Sequence, residues 1–351
     1  MSPQPGRGAG SNPKNRFERL EYVPDPQDPG EEGDEQPLLR TQFIEDHTQS
    51  IITRNNSPDV PFTYSLNPYR GCEHGCAYCF ARPTHEYLGY SAGLDFESKI
   101  IVKVRAPELL RKELSSPKWK PETLALSGVT DCYQPIERKL ELTRQCVAVL
   151  AEFRNPVSVT TKNHLVTRDI GLYRELAAHN AVRINISITT LDAKLAKKLE
   201  PRASPPLRRL AAVEQLTKAG IPVSVIMAPC IPGLNDHEML NIFTAAAKAG
   251  ARSAGFTPLR LPGAVALIFS QWLETHYPDR KEKILERVRE MRGGKLNDPR
   301  FGNRMQGAGF YAEQMAAMYQ VAWKAAGFAN RPEIELSAAS FRREREQLQL
   351  F

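Results

Sequence analysis

Short apolar runs rich in branched residues recur along the chain, separated by longer stretches in which apolar residues return every three to four positions. The runs at 62–66, 100–104, 123–127, 157–161, 183–189, 223–228 and 254–257 predict strands, and 136–153, 169–179, 205–219 and 237–249 predict helices. In 205–219, Leu207, Leu210, Ala211, Val213 and Leu216 fall mostly along one stripe, as a helix lying on a sheet requires. Alternation of strand and helix gives a parallel sheet. About six such units fit an α/β fold, a partial (β/α)6 TIM-like barrel, in which chemistry gathers just after the strands.

The flanks read differently. Residues 1–45 are rich in Pro, Gly, Gln and charge, with the acidic run Glu31-Glu32-Gly33-Asp34-Glu35 and no apolar period. Such a stretch buries too little surface to offset its ordering entropy, which predicts a disordered tail. A core domain over 46–261 and a helical C-terminal extension over 262–351 follow. In the extension, Met315, Met318, Tyr319, Ala322 and Trp323 form a helical stripe expected to serve as core packing.

Composition is that of an ordinary soluble chain, 41% hydrophobic and 25% charged over 351 residues. No apolar run approaches the roughly 18 residues a membrane span needs. The N-terminus lacks the apolar core of a secretory signal, so a cytoplasmic protein without a membrane partner is expected. The net charge of +7 permits a polyanionic partner without demanding one. Arg111-Lys112, Lys118, Lys120, Lys197-Lys198 and Arg208-Arg209 are expected on the wet faces of helices, a nucleic-acid groove being the alternative.

Three of the six cysteines crowd into Cys72-Glu73-His74-Gly75-Cys76-Ala77-Tyr78-Cys79. The C-x3-C-x2-C spacing lets one loop aim three thiolates at one inorganic centre. Soft ligands of this kind suit an iron–sulfur cluster or zinc. A four-iron cube held by three cysteines keeps one iron open to substrate or cofactor, whereas zinc would recruit His74 or His85 as a fourth ligand. Cys132, Cys146 and Cys230 are scattered and form no second arm.

With its context, N-P-Y-R-G-C-x-H-G-C-x-Y-C-F-A-R over 67–82, the loop resembles that of the radical S-adenosylmethionine (SAM) enzymes, and most closely the branch related to spore photoproduct lyase. The resemblance implies the partial barrel, a [4Fe-4S] cluster on Cys72, Cys76 and Cys79, and S-adenosyl-L-methionine chelated at the open iron. Reductive cleavage to a 5'-deoxyadenosyl radical would follow, fed by an electron donor such as flavodoxin or ferredoxin. It also implies cofactor contacts by Tyr78, by Lys162 after its strand, and by Ser187, which shares a strand face with Thr189.

Thr130 to Glu137 resembles the branch's T-D-x-Y-Q-P-x-E element and stands where the superfamily has a Gly-Gly-Glu-like sequence. Gly128, Thr130 and Asp131 are therefore expected to meet the cofactor, a plain turn and helix start being the alternative. Glu200-Pro201-Arg202 resembles the branch's E-P-R element, so Arg202 is expected on the cofactor carboxylate or a substrate phosphate, or in a salt bridge with Glu200 or another acid. Met227 and Ile231 are expected to support the adenine, and Asn235 or Asp236 to cap the next helix. Cys132 is placed to return a hydrogen atom to a substrate radical, against the plainer reading of a small buried hydrophobe.

The substrate is left open by these residues. A radical enzyme acting on nucleic acid, for repair or base modification, is one reading. A radical enzyme acting on a peptide or small metabolite is a second, and a non-catalytic iron–sulfur or zinc protein binding nucleic acid is a third.

Overall fold

The computed structural model describes residues 6–18 and 39–343. The described strands are β1 (Gln42–Glu45), β2 (Ile52–Arg54), β3 (Tyr64–Leu66), β4 (Tyr69–Arg70), β5 (Lys99–Val102), β6 (Leu124–Leu126), β7 (Val157–Thr161), β8 (Val182–Ser187), β9 (Val223–Cys230) and β10 (Ser253–Pro258). Seven of them form the main sheet in the order β2-β3-β6-β7-β8-β9-β10. From β3 to β10 all neighbours are parallel, and β2 closes the edge antiparallel. Six parallel staves in sequence order, with helices between them, make the partial barrel that the periodicity predicts.

One predicted stave goes elsewhere. The run at 100–104 becomes β5, which leaves the barrel and pairs with β1 and β4 in a separate three-stranded sheet. Its apolar side chains Ile100 and Val102 pack with Tyr69, Ile136 and Leu142 in a small core of their own. Apolar content alone cannot distinguish these two destinations.

Strand alternation sorts side chains between two faces. Val157, Val159, Val182, Ile184, Ile186, Val223, Val225 and Met227 point to the helix side and join the main core. Helices Ala106–Ser115, Leu142–Phe153, Pro206–Lys218 and Met239–Lys248 cover that side, each burying an apolar stripe. The intervening Ser158, Thr160, Arg183, Asn185, Ser187 and Ser224 therefore face the concave side, which is polar. There Asn185 Nδ2 donates to Ser158 Oγ (3.0 Å), Thr160 Oγ1 (3.2 Å) and the Val159 carbonyl (3.2 Å), tying β8 to β7.

The extension is welded to the barrel. Helices Val265–His276 and Lys281–Met291 contribute Val265, Phe269, Leu273, Leu285 and Val288 to a second core that also holds Cys76, Ala77, Tyr78, Leu199 and Ile231. Helix Phe310–Ala325 buries Met315 and Ala322 in the main core, with Met318, Tyr319 and Trp323 half-buried against it, as its stripe predicts. Among the described residues no helix is long and apolar enough to cross a membrane.

Within the expected tail, residues 6–18 and β1 are ordered by contacts that composition does not reveal. The acidic run at 31–35 lies outside the described residues. Gly8 N–H (3.1 Å) and Ala9 N–H (2.8 Å) both donate to the carboxylate of Glu97, and Arg7 Nη1 donates to the Glu97 carbonyl at 2.7 Å. A Cβ on Gly8 would stand 1.7 Å from the carbonyl oxygen of Gly75, so this strap lies directly on the cysteine loop.

Candidate cluster and cofactor site

The cysteine loop leaves β4 and turns twice through left-handed glycines, Gly71 (φ +75°) and Gly75 (φ +66°), a conformation other residues adopt only with strain. Arg82 holds the loop from within. Its guanidinium is fully buried and donates to the Cys76 carbonyl twice (Nε 3.0 Å, Nη2 2.8 Å), to the Ala92 and Gly93 carbonyls, and to Glu97. From outside, Glu73 N–H donates to Gln134 Oε1 (2.9 Å) and Gln134 Nε2 donates to the Gly71 carbonyl (3.2 Å).

Cys72, Cys76 and Cys79 are free thiols on this loop, the first two buried and the third half-buried. Burial pushes all three thiols up, and neighbouring charge acts on each: Asp131, Cys76 and Cys79 raise Cys72, Glu200 raises Cys76 while Lys162 lowers it, and Arg82 and Lys162 lower Cys79. The thiols thus lie close enough to feel one another, and Cys76 and Cys79 also face cations. These features fit a cluster that is ligated by thiolates and carries negative charge.

Of the two candidate histidines, His74 is committed elsewhere, while both buried ring nitrogens of His85 lack a hydrogen-bond partner among the described residues. His74 has both ring nitrogens engaged, Nδ1 with Asp131 (3.4 Å) and Nε2 with Asn163 Nδ2 (3.3 Å). His85 packs beside Tyr90 and Phe96 at 5.4 and 5.6 Å between ring centroids. Among the described residues no three His, Cys, Asp or Glu side chains converge on a single metal ion.

Next to Cys76, Tyr78 reaches across to the strand ends. Its hydroxyl donates to Glu200, which also accepts from Thr189 Oγ1 (2.5 Å) and pairs with Arg209. Burial alone would raise the Glu200 carboxyl, but Arg209 and Lys162, with hydrogen bonds from Arg209 and Thr189, hold it at about 2. Lys162 follows β7 and lies 5.9 Å from the Tyr78 ring centroid. Its ammonium makes no ion pair among the described residues. Ser187, at the end of β8, donates to the Ala228 carbonyl at 3.3 Å. Tyr78, Lys162, Ser187 and Thr189 are therefore brought together beside Cys76.

Other expected residues stand behind this group. Asp131 accepts from Thr161 Oγ1 (2.7 Å) and Lys162 N–H (2.7 Å), and with His74 it braces the cysteine loop against β7. Burial opposes its ionisation, yet His74 and these donors hold its carboxyl at about 2. Thr130 is buried and donates to the Tyr69 carbonyl at 2.8 Å, and Gly128 lies against Ser65 on the concave side. Arg202 does not pair with Glu200; it donates to Glu73 on the cysteine loop at 2.9 Å.

Cys132 is buried in the helix-side core, with its backbone N–H on Ser127 Oγ (2.7 Å), apart from the core that holds Cys76 and Tyr78. Met227 likewise packs in the helix-side core, because the alternation of β9 turns Ile226 and Ala228 the other way. Asn235 stands at the N-cap of the short helix Asp236–Glu238, but its side chain makes no cap bond: it bridges the Thr189 carbonyl (2.8 Å), the Pro229 carbonyl (3.1 Å) and Ile231 N–H (2.6 Å), while Asp236 accepts from His237 N–H (3.1 Å) and Gly233 N–H (2.8 Å).

In the sequence Glu200 stands out only as part of the E-P-R element, with no cofactor role of its own, and Arg209 does not stand out as a site residue. Arg209 read as a wet-face residue beside Arg208, and only its register on the helix separates the two. Arg82 stands in the cysteine motif without a role of its own and Glu97 does not stand out, yet both are fully buried.

The Radical SAM superfamily model matches residues 66–246, which span the cysteine loop and the strands around it. An uncharacterized protein of Mycobacterium bovis is 36% identical over 238 residues, 67% of this chain and 69% of its own length. An uncharacterized protein of Methanocaldococcus jannaschii is 29% identical over 221 residues, 63% of this chain and 79% of its own. Among solved structures, spore photoproduct lyase complexed with dinucleoside spore photoproduct has a TM-score of 0.60 at 15% identity, covering 81% of this chain and 79% of that one. At that identity the likeness speaks for the fold. The family model spans more than half of the chain, the cysteine loop included, and this chain therefore belongs to the radical SAM superfamily.

Proposed function

We propose that this protein holds a [4Fe-4S] cluster on Cys72, Cys76 and Cys79, binds S-adenosyl-L-methionine beside it, and acts on nucleic acid, in repair or base modification. When bound, cluster and cofactor supply a 5'-deoxyadenosyl radical able to abstract hydrogen from an unactivated C–H bond. The protein's own part is to bind, orient and exclude water.

The observation that carries the reading is the meeting of Tyr78, Lys162, Thr189 and Glu200 next to Cys76 at the mouth of a polar concave sheet. Lys162, without a carboxylate partner among the described residues, suits the methionine carboxylate. The carboxylate of Glu200 and the hydroxyls of Ser187 and Thr189 are acceptors for the cofactor's amino and ribose groups. Arg209 keeps Glu200 ionised, and Tyr78 ties that carboxylate to the cysteine loop. Charge of +7 and the fold shared with spore photoproduct lyase support nucleic acid as the substrate class.

The test is anaerobic incubation of reconstituted protein with dithionite and S-adenosylmethionine, with 5'-deoxyadenosine followed by chromatography beside Cys76→Ala. Product with intact cysteines alone supports the cofactor assignment. Deuterium transferred from labelled DNA or RNA into 5'-deoxyadenosine supports the substrate class, and transfer only from a peptide or small metabolite refutes it.

A further inference from the structure

Beside the cysteine loop, on the C-terminal side of the barrel strands, lies a cavity of about 400 Å³ that none of the three cysteines lines. Arg138, from the segment after β6, His164, two residues beyond Lys162, and Arg202 and Arg208, flanking the start of helix Pro206–Lys218, form its charged wall. No Asp or Glu lines it. Arg202 is partly neutralised by Glu73, but Arg138 and Arg208 make no ion pair among the described residues. Like charges gathered in a concavity without an acid repel one another, and a bound anion relieves that repulsion.

His164 sharpens the reading. Its Nδ1 faces Arg208 Nη2 at 3.3 Å. A guanidinium can only donate, so Nδ1 is the acceptor and the ring proton sits on Nε2. That Nε2 is buried and has no hydrogen-bond partner among the described residues. A buried donor left unmatched is costly, and a small turn of the ring toward the cavity lets a bound oxygen meet it. Donors approaching from three chain segments suit a tetrahedral oxyanion, and guanidinium forks match phosphate oxygens in pairs.

We propose that this cavity is a phosphate-binding site, which, resting on the nucleic-acid reading above, takes a backbone phosphate of the substrate strand. The wall between it and the cofactor residues is one side chain thick: Asn163 lines the cavity, touches His74 of the cysteine loop and directly follows Lys162. A phosphate anchored here fixes the strand relative to the radical source without contacting the cluster loop's thiols.

The test compares wild type with Arg138→Gln/Arg208→Gln. Both arginines are exposed, and circular dichroism with iron content checks that the variant folds and loads. The probes are a fluorescein-labelled single-stranded oligonucleotide, by anisotropy over a salt series, and inorganic phosphate, by calorimetry. Expected is an oligonucleotide affinity at least tenfold weaker in the variant, a log–log salt slope shallower by about 0.7 for the one phosphate lost, and lost phosphate binding. Equal oligonucleotide and phosphate binding by both proteins overturns the site while leaving the nucleic-acid reading intact. No oligonucleotide binding by wild type, with phosphate binding that the variant loses, keeps the site for a phosphorylated small molecule and overturns the nucleic-acid reading instead. If only reduction by an acidic flavodoxin slows in the variant, the patch docks a protein and the phosphate site is refuted.

Discussion

The guanidinium of Arg82 and the carboxylate of Glu97 form an ion pair in which both side chains are wholly buried, and each partner also holds backbone. Arg82 grips the carbonyl between the cluster cysteines, and Glu97 grips the N–H groups of Gly8 and Ala9. One pair thus fastens the N-terminal strap to the loop that carries the thiols.

Removing one charge from that pair strands the other in a dry site, which costs about 3–5 kcal/mol. Glu97→Gln is therefore expected to lower the melting temperature and the iron retained after anaerobic reconstitution. Gly8→Val separates the strap from the pair, since any Cβ there meets the Gly75 carbonyl. Its expected effect is milder on stability, about 1–3 kcal/mol, with severalfold faster iron loss to a chelator. Thermal melts and chelation rates on the two variants check this; unchanged chelation in Gly8→Val would mean the strap does not shield the cluster.

The Glu200 carboxylate separates binding from folding. Glu200→Gln leaves Arg209 buried without its counter-charge and is expected to destabilise the protein by about 3–5 kcal/mol. Lys162→Ala breaks no ion pair among the described residues. It is expected to fold normally and to raise the concentration of S-adenosylmethionine needed for half-maximal 5'-deoxyadenosine formation by roughly 10–100-fold, the worth of about 1.5–3 kcal/mol in a charged hydrogen bond. Normal cofactor dependence in Lys162→Ala would remove that lysine from the site.

How much of this was legible follows from the range of the interactions. Periodicity places the parallel strands because it records burial residue by residue, and the cysteine loop is readable because its three ligands are neighbours in sequence. Lys162, Ser187 and Thr189 follow from where strands end. Glu200 with Arg209 and Arg82 with Glu97 are ion pairs whose burial is decided by packing, so Glu200 and Arg82 stand in their motifs without a role of their own, and Arg209 and Glu97 stay unread until the helices are docked. The strap at 6–18 is held by backbone groups on a distant carboxylate, an interaction with no composition signal. Strand β5 was misassigned because its partner β1 lies in a segment too polar to read as structure.

Cys132 tests the separation of the main core from the cluster site. Its thiol is buried in the helix-side layer, where burial raises it well above its ordinary value. Cys132→Ala is expected to cost about 1 kcal/mol through lost packing and to leave 5'-deoxyadenosine formation without substrate unchanged. Chemical denaturation and the cofactor-cleavage assay measure the two effects. Accumulation of a substrate-derived radical by-product in the variant alone would restore the hydrogen-donor role.

His85 gives the fold a pH dependence of definite sign. Its ring is fully buried beside Tyr90 and Phe96, and desolvation, the largest effect, lowers its pKa to about 4. In the unfolded chain the ring titrates near 6.5. Between these values the unfolded state binds the extra proton, so stability is complete above about pH 6.5 and falls as pH drops toward 4. The loss from this residue alone reaches roughly 2–3 kcal/mol by pH 4.5. Urea denaturation of wild type and His85→Phe at pH 7 and pH 4.5 isolates it, since Phe keeps the aromatic packing and removes the proton. The variant is expected to lose roughly 2–3 kcal/mol less than wild type over that interval. An equal loss in both would mean that the folded ring takes up its proton near the ordinary value of 6.5, so that the Asp95 carboxylate offsets its burial in full.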